Sequence, residues 1–332
     1  MTRFQVYVTR RIPKVGLDMI REHCDVTLWE GDEPPPCEVL VDGVREADGL
    51  LSLLTDRIDE ALMAAAPRLR TISQYAVGVD NIDVAAATRR GIVVGHTPGV
   101  LTTATADMAF ALLMAAARRL VEGVDHVRTG QWRTWGPLTL LGPDVHGATL
   151  GIVGLGRIGR AVARRARGFD MRVLYYDCQR DETAAREFGP GCADLDTLLA
   201  ESDFVTLHVP LIPATRHLIG AAQFRRMKPH AVLINTSRGG VVDQDALVAA
   251  LRAGEIGYAA LDVTDPEPLP PDHPLLVLPN VIVTPHIASA SVTARTRMAI
   301  MAAENLLAGL RGEVPPFPVN PEALERGATH NT

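Results

Sequence analysis

Short apolar runs alternate with longer helical patterns along the chain. In the first hundred residues, strands are predicted at "FQVYVT", "GLLSLL", "RTISQYA" and "IVVGHTP", with helices over residues 15–22 and within "IDEALMAAAP". Strands that alternate with helices are typical of βαβ units, whose strands run parallel. The pattern therefore predicts a parallel α/β sheet for this part of the chain.

A second series of apolar runs begins at "ATLGIVGLG" and continues through "RVLYYD", "DFVTLHVP", "AVLINTS", "YAALDV" and "VIVTPH". These runs are almost continuously apolar, as expected for strands buried on both faces. Between the two series, "TTATADMAFALLMAAARRLVEGVDHVRTG" predicts one long helix, with Thr102 or Thr103 as N-cap and Gly130 as its stop. Beyond the second series, "SVTARTRMAIMAAENLLAGLRGE" predicts another long helix. The Pro-rich tail from Val314 is expected to return to the first domain.

Composition excludes several classes of protein. A net charge of −6, with acids and bases interleaved, does not favour a nucleic-acid surface. The longest apolar stretch, Met108 to Ala117, is too short to span a bilayer, and the first residues lack the features of a signal peptide. The four cysteines have no metal-ligand spacing, so no metal site is predicted and a reduced cytoplasm is expected. A length of 332 residues favours two domains.

The stretch "LGIVGLGRIGRAVARRA" contains Gly154-x-Gly156-x-x-Gly159 directly after a predicted strand and before a predicted helix. In a dinucleotide-binding site, the three glycines allow a tight turn, close approach of a pyrophosphate and close packing of the helix. The helix N-terminus attracts the phosphates. The next strand ends in Asp177, where a carboxylate would bind ribose hydroxyls and repel a 2′-phosphate. NAD is therefore favoured over NADP, although Arg180 could accommodate the extra phosphate.

Ionisable residues follow three later strands. Arg238 lies after "LINTS", Asp262 and Glu267 lie in "LDVTDPEP" at the end of the next strand, and His286 follows "VIVTP", in which Pro285 must end the strand. Ligands of open α/β sheets bind at the carboxyl ends of the strands. A guanidinium there can hold a carboxylate and polarise a carbonyl, and an imidazolium can protonate the carbonyl oxygen. A neighbouring carboxylate favours the charged imidazole and selects its tautomer. These groups suit hydride transfer to a 2-oxo acid.

Several motifs resemble the D-isomer-specific 2-hydroxyacid dehydrogenase family, and within it the glyoxylate/hydroxypyruvate reductases most. They are "GLGRIG", "NTSRGGVVDQDAL", "LDVTDPEPLPPDHPLL" and "TPHIASA", with "VTRRIP", "VGVDNID", "RTWGPL" and "LLAGLRGEVP" extending the likeness over nearly the whole chain. The resemblance implies an α/β fold with two Rossmann-like domains of parallel strands, the first flavodoxin-like and the second dinucleotide-binding. The expected substrate-binding domain comprises residues 1–100 and 287–332. Residues 101–286 are expected to bind NAD and to carry a homodimer interface.

The resemblance also implies a role for individual residues. The catalytic residues would be Arg238, Glu267 and His286. The substrate carboxylate would be bound by the N–H groups of Val77 and Gly78, with Leu51 as an apolar wall. Trp135 would reach the active site of a partner subunit. The cofactor site would be lined by Thr105, Gly154, Gly156, Arg157, Ile158, Gly159, Asp177, Pro210, Thr215, Thr236 and Asp262. The family's usual Asn or Tyr before the "TPG" turn is His96 here, for which the sequence offers no functional interpretation.

Two alternatives remain open at this stage. The chain could act on another substrate of D-2-hydroxyacid dehydrogenases, of the lactate, phosphoglycerate or phosphite type. It could instead resemble those relatives that act as NAD-sensing corepressors, which keep the same triad and bind partner peptides. The lack of long polar extensions in the sequence favours an enzyme that reduces glyoxylate or hydroxypyruvate to glycolate or D-glycerate.

Overall fold

A computed structural model of the chain describes residues 3–178, 182–188 and 191–327. The strands are β1 (Phe4–Val8), β2 (Cys24–Leu28), β3 (Gly49–Ser52), β4 (Thr71–Gln74), β5 (Val93–Gly95), β6 (Thr149–Val153), β7 (Arg172–Tyr176), β8 (Phe204–Leu207), β9 (Val232–Asn235), β10 (Tyr258–Leu261) and β11 (Val281–Val283). The helices are α1 (Lys14–His23), α2 (Cys37–Val44), α3 (Glu60–Ala64), α4 (Val84–Arg89), α5 (Thr102–Ala117), α6 (Leu120–Arg128), α7 (Arg157–Ala166), α8 (Glu182–Phe188), α9 (Leu195–Glu201), α10 (Ala221–Phe224), α11 (Gln244–Ala253), α12 (Val292–Leu310) and α13 (Ala323–Gly327).

The chain divides into two compact units. Unit 1 comprises the described residues of Met1–Leu101 and Ala290–Thr332, and unit 2 comprises those of Thr102–Ser289. None of the described helices combines the length and the apolar character that a bilayer crossing requires.

The sheet of unit 1 is parallel throughout, in the order β2-β1-β3-β4-β5. This is the flavodoxin-like order, which confirms the predicted fold of the N-terminal part. Successive strand residues point to opposite faces. Leu50 accordingly packs in one core, with α2, α3 and α4, whereas Leu51 packs in the other, with α1 and α12. The hydropathy pattern did not identify β2, α2 or α4.

The Pro-rich tail returns to the edge of this sheet, as the sequence predicted. The N–H of Val319 donates to the carbonyl of Val94, and the N–H of His96 donates to the carbonyl of Phe317. Asn305 of α12 stabilises the same edge: its Nδ2 donates to the His96 carbonyl at 2.8 Å, and its Oδ1 accepts from the N–H of Phe317 at 3.0 Å. Because Asn305 is fully buried, these bonds are shielded from water.

The sheet of unit 2 has the parallel order β11-β10-β9-β8-β6-β7. A parallel bridge between Tyr175 and Cys192 extends it beyond β7. Counted in chain order, the arrangement is 3-2-1-4-5-6-7, in which the third strand is reduced to that bridge. It is the 3-2-1-4-5-6 order of dinucleotide-binding domains with β11 added at the edge. The strand order reverses between β6 and β8, so a ligand crevice is expected at the carboxyl ends of these two strands.

Helices cover both faces of this sheet. One core joins it to α5 and α7, and the other joins it to α9, α10 and α11. The prediction of a single long helix after Thr102 is wrong, because Arg119 adopts a left-handed conformation with φ of 49° and separates α5 from α6. The two helices have different surroundings: α5 buries eight residues, whereas α6 buries none. Continuous helical periodicity conceals such a change of direction.

Candidate active site

The glycine loop after β6 has the backbone that close packing requires. Gly154 has φ of 94°, and a Cβ there would lie 2.9 Å from the backbone of His208. A Cβ on Gly159 would lie 2.2 Å from the Gly154 carbonyl oxygen, so only glycine lets α7 approach β6 this closely. At Gly156, by contrast, a Cβ would meet nothing within 4 Å. The loop therefore leaves open space in front of Gly156, at the N-terminus of α7.

Asp177, directly after β7, lies against this loop. Its Oδ2 accepts a hydrogen bond of 2.7 Å from the N–H of Leu155, and its Oδ1 accepts from the Cys178 thiol at 3.4 Å. The carboxylate thus both stabilises the glycine turn and lies where a ribose is bound in dinucleotide-binding domains. Arg180, the residue that could accommodate a 2′-phosphate, lies outside the described residues.

Other predicted cofactor residues occupy the same edge of the sheet. Thr236 follows β9, is 7% exposed, and has a buried Oγ1 for which the described residues supply no partner. Thr215 closes the turn after β8, because its Oγ1 donates to the Pro210 carbonyl at 2.6 Å. The buried hydroxyl of Thr236, by contrast, has no such bond within the described residues, which costs free energy unless a bound ligand supplies a partner. The open glycine loop, Asp177 and the Thr236 hydroxyl together fit a bound nicotinamide dinucleotide.

Three of the remaining predicted cofactor residues are helical. Arg157 and Ile158 are the first two residues of α7, and Thr105 lies buried in the first turn of α5. Arg157 is exposed, whereas Ile158 packs partly against the core. The N–H groups at a helix start have no intrahelical acceptors, so Arg157 and Ile158 present donors suited to phosphate oxygens.

Arg238, Asp262 and His286 follow three neighbouring strands, β9, β10 and β11. Since these strands are parallel, their carboxyl ends lie along one edge of the sheet. The structure therefore brings the predicted groups to the same edge as the glycine loop, within unit 2.

Asp262 builds the turn that carries His286. Its carboxylate, 1% exposed, accepts from the Thr284 hydroxyl at 2.6 Å, from the N–H of Ile287 at 2.9 Å and from the N–H of Ala288 at 2.7 Å. Its carbonyl accepts from the N–H of His286 at 3.0 Å. His286 has φ of 52°, a left-handed conformation that costs a residue with a Cβ about 1–2 kcal/mol. The bonds to Asp262 offset this strain.

His286 and Glu267 are in direct contact. Nδ1 of His286 lies 2.5 Å from Oε1 of Glu267. Because a carboxylate oxygen only accepts, Nδ1 carries the hydrogen, which leaves Nε2 as the nitrogen for proton exchange with a substrate. Oε2 of Glu267 accepts from the N–H of Thr264 at 3.3 Å, so both carboxylate oxygens are held. The pair can act as a general acid or a general base.

The loop that carries Glu267 is anchored by a residue that sequence reasoning missed. Gln244, the first residue of α11, binds Asp265 through both ends of its carboxamide: Nε2 donates to the Asp265 carbonyl, and Oε1 accepts from the Asp265 N–H at 3.0 Å. The hydroxyl of Thr264 also donates to the Pro266 carbonyl at 2.9 Å. These partners lie 21 residues apart or in irregular backbone, so no sequence periodicity predicts them.

Arg238 lies on a turn that packs against the same loop. Asn235 closes the turn by donating from Nδ2 to the Arg238 carbonyl at 2.9 Å and by accepting from the Ser237 N–H at 3.0 Å. A Cβ on the next residue, Gly239, would lie 2.0 Å from the backbone of Thr264, so glycine is required there. The guanidinium donates from Nη1 to the Ser237 carbonyl at 2.8 Å and is half-buried.

His208 is a partly buried titratable group beside the glycine loop. Its Nε2 lies 2.9 Å from Oγ1 of Thr206, and its Nδ1 is buried with no hydrogen-bond partner among the described residues. Burial lowers the pKa of His208 from 6.5 to about 3. The side chain is therefore neutral at physiological pH and adds no positive charge near Gly154.

The predicted substrate residues outside this edge differ in their surroundings. Val77 and Gly78 follow β4 and are partly exposed, as a binding loop requires. Leu51, in contrast, is fully buried in the core of unit 1 and offers no surface to a ligand; Leu53 and Leu54, just after β3, are partly exposed. Trp135 is 79% exposed, in a segment that contains no helix or strand.

Comparison with known proteins gives consistent matches. Residues 110–288 match the family described as D-isomer specific 2-hydroxyacid dehydrogenase, NAD binding domain. The chain is 58% identical to a glyoxylate reductase of Korarchaeum cryptofilum, over 97% of each chain. It resembles the crystal structure of a Thermus thermophilus protein with a TM-score of 0.90 and 50% identity, covering 95% of this chain and 99% of that one. An NADPH-dependent glyoxylate/hydroxypyruvate reductase of Sinorhizobium meliloti, crystallised with NADP and malonate, gives a TM-score of 0.85 and 33% identity, covering 97% and 98%.

Proposed function

The chain belongs to the D-isomer-specific 2-hydroxyacid dehydrogenase family, and from this premise we propose that it reduces glyoxylate or hydroxypyruvate to glycolate or D-glycerate. The observation that carries the proposal is the contact of His286 with Glu267 on the sheet edge that also holds the glycine loop and Arg238. The names of the similar proteins from K. cryptofilum and S. meliloti support the choice of substrate.

The protein's own groups divide the work on the substrate. Arg238 binds the carboxylate and polarises the carbonyl through the forked geometry of its guanidinium. Protonated His286 donates the hydrogen of Nε2 to the carbonyl oxygen, and Glu267 stabilises the imidazolium through Nδ1. In the oxidative direction, neutral His286 accepts the proton of the hydroxyl. The reduced dinucleotide, when bound, supplies the hydride that the carbonyl carbon receives.

Unit 1 is proposed to bind the substrate carboxylate through the N–H groups of Val77 and Gly78. Because Leu51 is buried, we assign the apolar wall to the partly exposed Leu53 and Leu54 instead. Unit 2 is proposed to hold the dinucleotide with the glycine loop, Asp177 and the hydroxyl of Thr236.

NADH is proposed as the preferred cofactor. A carboxylate at Asp177 can bind the two ribose hydroxyls, whereas it repels the 2′-phosphate of NADPH. The similar S. meliloti protein is NADPH-dependent, so this part of the proposal rests on Asp177 and not on that resemblance. Replacing Asp177 with Ser and Cys178 with Arg should invert the preference by about 1–3 kcal/mol, because a charged contact is exchanged at the ribose. A wild type that already prefers NADPH would refute the assignment of Asp177.

We further propose that the protein is a homodimer. Helix α6 and the segment that follows it expose a run of large apolar side chains, namely Leu120, Val121, Val124, Val127, Trp132, Trp135, Leu138 and Leu141. Exposed patches of this size are typical of interaction surfaces. Leu138→Asp should shift sedimentation towards the monomer, whereas Val277→Asp, at a position that is similarly exposed in unit 2, should not. Trp135 then lies at the interface and can line the partner's active site.

A steady-state assay tests the proposed reaction. The loss of NADH or NADPH absorbance is followed with glyoxylate, hydroxypyruvate, pyruvate and a longer 2-oxo acid as substrates. We expect the highest kcat/KM with glyoxylate or hydroxypyruvate and NADH, and no measurable turnover in His286→Ala with unchanged NADH binding. Absence of turnover with every 2-oxo acid would overturn the proposal and favour a binding protein.

A further inference from the structure

The loop of Val77 and Gly78 is held from one side by the turn of His96 and Thr97. The N–H of Thr97 donates to the Ala76 carbonyl at 2.9 Å, and Nδ1 of His96 lies 2.8 Å from the Val77 carbonyl oxygen. Because a carbonyl oxygen can only accept, Nδ1 of His96 carries the hydrogen in this bond. Two consecutive carbonyls of the loop therefore have donors from the same turn.

These two bonds determine where the loop's own donors point. In a trans peptide, the carbonyl and the N–H of one unit point in opposite directions. The Ala76 carbonyl shares its peptide with the Val77 N–H, and the Val77 carbonyl shares its peptide with the Gly78 N–H. Both N–H groups are thus directed away from the His96 turn. A donor on the carbonyl also polarises the peptide and strengthens its N–H as a donor.

The opposite end of the loop is anchored by a buried amide. Gln74, which is fully buried at the end of β4, lies with Nε2 2.7 Å from Oδ1 of Asn81 and 3.4 Å from the Gly78 carbonyl. Its Oε1 accepts from the Ser52 hydroxyl at 2.7 Å, which sets the orientation of the carboxamide. The loop is therefore bounded on both sides before any ligand binds.

His96 itself has little freedom to move. Its N–H donates to the Phe317 carbonyl, and its carbonyl accepts from Nδ2 of the buried Asn305. A Cβ on the preceding Gly95 would lie 2.7 Å from Cβ of Asn305, so the strand end packs directly on α12. These contacts fix the backbone that carries the imidazole.

We propose that His96 is a positioning residue for the substrate: its imidazole orients and polarises the Val77–Gly78 peptide so that the Gly78 N–H binds the substrate carboxylate. This inference rests on the proposed function, which assigns that carboxylate to the loop. His96 touches the loop and not the reacting atoms. Its contribution is therefore to binding of the carboxylate, equally in the ground state and the transition state.

The test uses the full-length protein with His96→Phe and His96→Leu, which remove the donor, and His96→Asn, which keeps one. Nδ2 of Asn and Nδ1 of His are both bonded to Cγ, so Asn offers its donor at the same distance along the side chain. Ser73→Ala is the matched control, because it removes a side-chain hydrogen bond of similar length from unit 1, that of the Ser73 hydroxyl to the Ala302 carbonyl at 2.7 Å. KM for glyoxylate, kcat, inhibition by oxalate and the Kd of NADH are measured for each.

In the variants without a donor, KM for glyoxylate and Ki for oxalate should rise together by about tenfold, as expected for one lost hydrogen bond to a charged group. The value of kcat and the Kd of NADH should stay close to wild type, since uniform binding changes KM alone. His96→Asn should restore most of the affinity, and Ser73→Ala should change neither constant. Unchanged KM and Ki in both donor-free variants would overturn the proposal, as would equal changes in Ser73→Ala. A wild type that neither reduces glyoxylate nor binds oxalate would instead refute the proposed function, and this inference with it.

Discussion

Replacing Glu267 with Gln isolates the effect of its charge on His286. Gln keeps an Oε1 that can accept from Nδ1, so the contact of 2.5 Å can persist while the negative charge is lost. Reduction requires protonated His286, whereas oxidation of the hydroxy acid requires the neutral form. The variant should therefore lose more of its reductive activity than of its oxidative activity, because only reduction uses the imidazolium that Glu267 stabilises.

The size of the loss follows from the contact. A hydrogen bond to a charged group contributes about 1.5–3 kcal/mol, and about 1.4 kcal/mol corresponds to a tenfold change in rate. The side chains of His286 and Glu267 are 21% and 32% exposed, so solvent screens the pair and the lower end of the range applies. We expect kcat/KM for glyoxylate reduction at neutral pH to fall by about tenfold.

The assay compares kcat/KM for glyoxylate reduction and for glycolate oxidation at neutral pH in wild type, Glu267→Gln and Asp265→Asn. Asp265 is the matched control, because it belongs to the same loop and its carboxylate pairs with Arg216 at 3.6 Å. Loss of its charge should leave both constants close to those of wild type. An unchanged reductive kcat/KM in Glu267→Gln, or an equal loss in Asp265→Asn, would refute the role of Glu267 in stabilising the imidazolium.

Three further outcomes are expected. Arg238→Ala should lower kcat/KM by on the order of 10³, the scale of a lost electrostatic contact to the developing charge, and near-normal kinetics would remove Arg238 from the mechanism. Asp262→Asn places an amide where Oδ1 and Oδ2 of Asp262 accept three hydrogen bonds, so the His286 turn should loosen. We expect kcat to fall about 10²-fold as His286 loses its position. An unchanged kcat would show that the turn holds without the carboxylate. Burial lowers the pKa of His208 to about 3, so below pH 6.5 the unfolded chain takes up a proton that the folded protein does not. The contribution of His208 to the free energy of unfolding should consequently fall by about 2 kcal/mol between pH 8 and pH 5. Urea unfolding of His208→Gln should lack this part of the pH dependence. If the free energy of unfolding changes equally with pH in wild type and in His208→Gln, the prediction is wrong.

Local features of the sequence sufficed for much of this protein. Apolar runs of strand length identified ten of the eleven strands in the described part of the chain, because strands buried on both faces leave a continuous hydrophobic signal. The glycine spacing from Gly154 to Gly159 and the acid at Asp177 predicted a turn whose geometry depends on few neighbouring residues. Pro285 ended the strand before His286 for a reason that lies within the residue itself, since proline lacks an N–H for the sheet ladder.

Tertiary structure alone decided which side chains meet. Asp262 binds the backbone 25 and 26 residues further on, Gln244 binds Asp265 across 21 residues, and His96 lies against Val77 across 19. Periodicity specifies the face on which a residue lies, but it does not specify which loop closes over that face. Leu51 illustrates the same limit: the strand was predicted, but only the fold shows that this leucine is fully buried, whereas Leu53 and Leu54 are partly exposed. The break at Arg119 also needed the folded protein, because α5 is buried against a sheet and α6 is not.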